Sequence, residues 1–288
     1  MRLGDYRKSD NVGDQRGQSF GGGGGGLGLL LNLVGSRFGI GGIIVVMIGA
    51  MLFGFNPFGG GSNVAPRATA VGGTAAQQAC AVDQASTFSC QVLASTEDTW
   101  AKIFTERGET YQPAGFIFYG GRGQSGCGAA QSAMGPFYCP TDHRIYLDTS
   151  FYGELQNRFG AAGDFAQAYV IAHEVGHHIQ FLNGTLDKAS AAQARASTTE
   201  GNAIQVKVEL QADCYAGVWG GRNRDRLESG DIEEGLRAAS AIGDDTLQKA
   251  AQGRVVPESF THGSSEQRMA ALKRGLETAD PAACDTFA

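Results

Sequence analysis

Residues 164–182, DFAQAYVIAHEVGHHIQFL, repeat apolar side chains at helical spacing (Phe165, Ala168, Ala172, Val175, Ile179 and Leu182) until Asn183-Gly184 ends the run. Inside this apolar helix sit three of the chain's five histidines and a glutamate. His173 and His177 are four apart, so their rings share one face within reach of a single ion, and Glu174 borders that face. A metal site and a polar stripe on an amphipathic helix both fit the pattern. The choice turns on whether a third ligand exists elsewhere in the chain.

Residues 202–221, NAIQVKVELQADCYAGVWGG, read as a second long helix stopped by glycine. Glu209 and Asp213 lie four apart on one face of it. Carboxylates on a helix ordinarily form a solvated face, but Val206, Val208, Leu210, Ala212, Tyr215 and Val218 make this helix apolar enough to be buried, and buried carboxylates need partners. His173-Glu174-Val175-Gly176-His177 matches H-E-x-x-H, in which two imidazoles bind zinc and the glutamate acts on water. Catalytic zinc generally has three protein ligands and one open position. Glu209 is the expected third ligand, with Asp213 accepting the other N–H of a ligand histidine; the reverse assignment of the two carboxylates is also chemically permissible. Glu174 then serves as general base.

His262, in FTHGSSEQR, is either a donor to a developing oxyanion or a turn histidine before a capped helix. Arg268, in the same stretch, can orient a carboxylate of the site. His178 points about 100° away from the ligand face and His143 precedes a strand, so both read as structural.

Residues 1–37 are polar and then Gly-rich, and read as a disordered segment. From Phe38 to Phe55 no residue is charged; as a helix this run spans ~27 Å against a hydrocarbon core of ~30 Å, so 38–56 reads as one transmembrane helix. A cleaved signal peptide and a buried soluble helix are the alternatives, the former disfavoured by the long segment ahead of the run. Arg2, Arg7, Lys8, Arg16 and Arg37 precede it while only Arg67 follows closely. The positive-inside rule then places the N-terminus in the cytoplasm and the remainder outside the cytoplasmic membrane.

All six cysteines follow residue 60, which fits disulfides in an extracytoplasmic compartment. The close pairs Cys80–Cys90 and Cys127–Cys139 leave Cys214 with Cys284. A net charge of −6 without a basic cluster excludes nucleic acid as a partner. After a linker over 57–78, the domain 79–288 shows a helix capped by Ser95 and ending near Arg107, strands near 116–119 and 144–148, and helices near 231–242 and 265–277. The fold class is α+β, mainly helical with a small sheet.

At HEVGHHIQ, ELQADCYAGVW and THGSSEQR the chain resembles the YpfJ-like bacterial neutral zinc metallopeptidases, single-anchor proteins with a gluzincin-like site. GPFYCPTDHRIYLD and RKSDNV extend the resemblance over nearly the whole chain. It implies a zincin-like domain, one Zn2+ ion held by His173, His177 and Glu209, and Glu174 as catalyst. The Thr261-His262 to Arg268 spacing is similar to that of membrane gluzincins and implies a part for His262 in catalysis and for Arg268 in support. A zincin fold also implies an edge strand above the metal helix, formed by Ile145–Leu147 or by residues just before Cys139. The expected protein is a membrane-anchored zinc endopeptidase acting on a peptide or protein in the cell envelope. Its rivals are a non-catalytic zinc-stabilised envelope binding or scaffold module, which would need no Glu174, and an anchored disulfide-rich domain without metal.

Overall fold

The computed structural model describes residues 1–18 and 71–288. In chain order they form β1 (Val12–Asp14), α1 (Gly73–Ala79), α2 (Gln84–Glu106), β2 (Gly115–Phe118), β3 (Arg122–Ser125), β4 (Gly128–Gln131), β5 (Phe137–Cys139), β6 (Arg144–Leu147), α3 (Ser150–Asn157), α4 (Asp164–Leu182), α5 (Thr185–Gln193), α6 (Thr198–Arg222), α7 (Asp231–Ala241), α8 (Asp244–Gln252) and α9 (Ser265–Thr278).

Four strands make one sheet in the order β1-β2-β6-β5, parallel except for β5, which runs antiparallel to β6 at the edge. Both faces of β2 are covered. Phe116 and Phe118 enter the main core, whereas Ile117 joins Tyr119, Tyr146 and Cys139 in a smaller cluster. The β3–β4 hairpin supplies Ala130 to that cluster and is tied to the end of β5 by Cys127–Cys139. Coverage on both sides explains why β2 reads as an unbroken apolar run.

Helix α6 is the axis of the helical layer and packs most extensively on α9 and α4. A Cβ on Gly275 would overlap the Cys214 carbonyl, so α9 meets α6 backbone to backbone. The same crossing carries the Cys214–Cys284 bridge, and Cys80–Cys90 ties α1 to α2. All three expected pairings are present.

Several expectations need correction. Helix α2 starts at Gln84 behind the Asp83 cap, not at Ser95. Ser95 is buried mid-helix, where its hydroxyl accepts from Trp219 Nε1 at 3.1 Å, so its polarity serves tertiary packing instead of a cap.

The opening residues are folded. β1 pairs with β2, and Met1, Leu3 and Val12 are buried. The charges that made this segment look solvated are paired: Arg7 Nη2 lies 2.9 Å from Glu97 of α2, and Arg16 lies 2.6 Å from Asp14 and donates to Ser86 at 2.7 Å. A single span at 38–56 with a cytoplasmic N-terminus would put residues 1–18 and 79–288 on opposite sides of a membrane, yet they share one sheet and one core. The expected domain preceded by a transmembrane helix, and the single-pass localisation with an extracytoplasmic domain, are therefore corrected. Among the described residues no helix is long and apolar enough to cross a membrane. The run 38–56 itself lies outside the described residues. The three disulfides are compatible with an oxidising compartment.

Asp148, at the end of β6, fixes the turn into α3. Its carboxylate accepts from Gly121 N–H at 2.7 Å, from Ser150 N–H at 3.0 Å and from the Ser132 hydroxyl. Burial pushes its pKa up, but these donors outweigh that and hold it below the usual value. A depressed folded-state pKa contributes stability above the unfolded pKa, and this is lost as pH falls through the folded value. Asp148→Asn should cost about 1–3 kcal/mol at pH 7. Urea unfolding should show the gap to wild type closing below about pH 4.

Candidate metal centre

His173 and His177 project from α4 toward Glu209 on α6. One donor atom from each of the three lies within 4.8 Å of the others. His173 Nε2 is 3.2 Å and His177 Nε2 is 3.5 Å from the same Glu209 oxygen, Oε2.

The other side of each ring is already engaged. His173 Nδ1 donates to Asp213 Oδ1 at 2.8 Å, and His177 Nδ1 donates to Gln180 Oε1 at 2.9 Å. Neutral imidazoles that donate through Nδ1 present a lone pair at Nε2. With both rings neutral, two nitrogen lone pairs and a carboxylate oxygen face one another, an arrangement that repels itself unless a cation, a proton or a metal ion, lies between them. The donor set, two imidazole nitrogens and one carboxylate oxygen, suits zinc with one position left open.

Asp213 is fully buried and completely engaged. Oδ1 accepts from His173, from the Tyr169 hydroxyl at 2.6 Å and from Arg268 Nη2 at 2.9 Å, while Oδ2 accepts from Arg268 Nε at 2.8 Å. Burial would raise its pKa, but Arg268 and then His173 bring it down to about 2. Burial likewise opposes charge on His173, and Asp213 followed by Glu209 reverses this, pushing the imidazole up to about 10. Glu209 is held well below the usual carboxylate range: burial is overridden by His177, His262 and His173. A proton and a metal ion therefore compete for the same negative pocket. Glu174 moves the opposite way, raised by burial against the pull of His177 and His173.

His173, His177, Glu209 and Arg268 line a cavity of about 590 Å³ with largely apolar walls, including Phe151, Val170, Leu186 and Ile242. Glu174 and His262 both line it. His262 sits on the loop before α9, which Asp244 organises by accepting from the backbone N–H groups of Thr261, His262 and Gly263 at 2.7, 2.6 and 3.1 Å. Asp244 Oδ1 also lies 3.4 Å from His262 Nδ1. Edge strand β5 borders the cavity through Phe137 and Tyr138, and the Tyr138 backbone N–H interacts with the Glu174 carboxylate. Of the two segments considered for the cleft, the one before Cys139 lies there, because β6 is inside the sheet.

Every residue singled out for the site is thus brought to one place. His178 instead bonds the Tyr138 hydroxyl at 3.0 Å and the Gln112 carbonyl at 2.6 Å, while His143 packs on Phe181. Sequence reasoning missed Gln180, Gln205 and Asp244. Gln180 follows His177 by three positions and Gln205 precedes Glu209 by four, donating to its Oε1 at 2.9 Å, so helical spacing could have exposed both. Asp244 precedes His262 by a whole helix and leaves no local signal. A second acidic group, Asp164, Asp231 and Glu234, is engaged otherwise: the Met1 ammonium lies 2.7 Å from Asp164 and 3.1 Å from Asp231.

The family model described as "Putative neutral zinc metallopeptidase" matches residues 1–287, and the chain belongs to that family. The Escherichia coli (strain K12) protein YpfJ is 46% identical over 293 residues, covering 100% of this chain and 99% of that protein. Protein Mb2605 of Mycobacterium bovis is 40% identical over 214 residues, 69% of this chain and 70% of its own length. No solved structure matches the chain.

Gly176, inside the histidine motif, sets the distance between α4 and α6. A Cβ there would stand 2.8 Å from the Ala212 carbonyl of α6, which lies between Glu209 and Asp213 along the chain. Gly176→Val should force α4 and α6 apart, at an overpacking cost of about 1–3 kcal/mol. Thermal unfolding should show the lower midpoint, and zinc titration a weakened site.

Proposed function

We propose that the chain is a zinc-dependent endopeptidase, with His173, His177 and Glu209 holding one ion and Glu174 as general base. The observation that carries this reading is the convergence of the three donor atoms within 4.8 Å, on the wall of a cavity that also holds Glu174. Zinc, when bound, supplies Lewis acidity that acidifies water and offsets charge on a carbonyl oxygen. Asp213 and Gln180 keep the two rings aimed at the ion. Glu174 removes a proton from the attacking water and returns it to the leaving amine. His262 donates to the oxygen of the scissile carbonyl as charge develops there, and Asp244 holds its loop in place.

The substrate is a peptide in extended conformation. The outer edge of β5 has no strand partner among the described residues, so a peptide can add to it by main-chain hydrogen bonds with its ends free on either side. The apolar walls favour substrates with bulky apolar side chains near the scissile bond.

The purified full-length chain should bind one zinc ion, and chelation should abolish peptide cleavage. Glu174→Gln should keep the zinc and lose about 10²–10⁴ in kcat. Equal cleavage by wild type and this variant, with zinc content checked in each, would remove Glu174 from the mechanism.

A further inference from the structure

Gln180 is completely buried, and both ends of its amide are hydrogen-bonded. Nε2 donates to the Val208 carbonyl of α6 at 2.7 Å and to Gln211 Oε1 at 3.1 Å, while Oε1 accepts from His177 Nδ1 at 2.9 Å. A carbonyl can only accept, so Val208 fixes the NH2 end of Gln180 on α6 and leaves the oxygen for the imidazole. An oxygen in that place puts the proton of neutral His177 on Nδ1. The lone pair is then at Nε2, the atom 3.5 Å from Glu209 Oε2.

Gln211 is oriented by the same logic. Its Nε2 donates to the Cys284 carbonyl at 3.1 Å, which turns its Oε1 toward Gln180. Cys284 is in turn bonded to Cys214, on α6 itself. The chain of amides begins and ends on the helix that carries Glu209.

We propose that Gln180 is a positioning residue for the metal, setting the tautomer and ring angle of His177 with the α6 backbone as its reference and Gln211 and Cys284 as its support. This rests on the reading of His173, His177 and Glu209 as zinc ligands. The two histidines are then supported differently: His173 by a carboxylate braced by Arg268, His177 by a neutral amide tied to backbone.

The test compares zinc affinity in chelator-stripped full-length wild type, Gln180→Leu and Gln180→Glu, by competition with a chromophoric chelator, alongside thermal unfolding of the stripped forms. Both substitutions remove the donors to Val208 and Gln211, so both lower the unfolding midpoint. Only Gln180→Glu keeps an acceptor for His177. Gln180→Leu should bind zinc about 10–100-fold more weakly, and Gln180→Glu should stay within about threefold of wild type. Unchanged affinity in Gln180→Leu, or equal losses in both variants, would overturn the proposal and leave Gln180 a packing residue.

A readout on wild type covers the case in which Gln180→Leu does not fold. Long-range proton–nitrogen spectra of zinc-loaded, histidine-labelled protein should place the proton of His177 on Nδ1 and the metal on Nε2; metal on Nδ1 would overturn the proposal. Wild type that binds no zinc refutes the ligand assignment itself and this inference with it. Zinc bound by wild type and equally by Gln180→Leu refutes only the role of Gln180.

Discussion

Two helices that meet backbone to backbone at Gly176 and Ala212 decide what the rest of the molecule can do. At that separation the histidine face of α4 and the carboxylate face of α6 share one volume, and their charges must be answered within it. Asp213 answers through Arg268, whose guanidinium reaches in from α9 and is itself buried. A buried ion pair of this kind is stable only when its remaining hydrogen-bonding capacity is filled. Here Tyr169, His173 and the Ile242 carbonyl fill it. The third helix is close enough to do so because Gly275 allows α9 onto α6. The site is therefore a property of three helices packed at glycine-limited distances.

The grouping of the site's residues was more legible than the architecture around them. H-E-x-x-H and the Glu209–Asp213 pair could be read because helical geometry converts a spacing of four residues into a shared face, and both helices are long enough for the period to show. Cysteine spacing gave the disulfides for a similar reason: the two close pairs left a single remaining pairing. Gln180 obeyed the same helical spacing but escaped because glutamine carries no motif. Asp244 was not legible at all, since only tertiary folding brings it under the His262 loop. β5 and the β3–β4 hairpin are too short to show an alternating pattern, and their identity comes from pairing and from the Cys127–Cys139 tie.

The first eighteen residues were misread for a physical reason that applies more widely. Low hydrophobicity and high charge signal disorder when a segment has nothing to bury and no partner for its charges. This segment buries Met1, Leu3 and Val12, and its arginines find carboxylates and hydroxyls on distant elements. Composition records how many charges a segment holds, not whether counter-charges await it elsewhere. The apolar run at 38–56 then gave a topology that the shared sheet does not permit.

The parallel pairing of β1 with β2 also bears on how the molecule is assembled during synthesis. β1 leaves the ribosome about a hundred residues before β2, yet the backbone groups it must bond belong to Gly115–Phe118. Until then its strand edge and the apolar side chains of Met1, Leu3 and Val12 are open to any passing partner, a hazard common to sheets closed by distant segments. The segment that completes the core is thus made well before the strand it docks on, and it can take its place only after β2 has emerged.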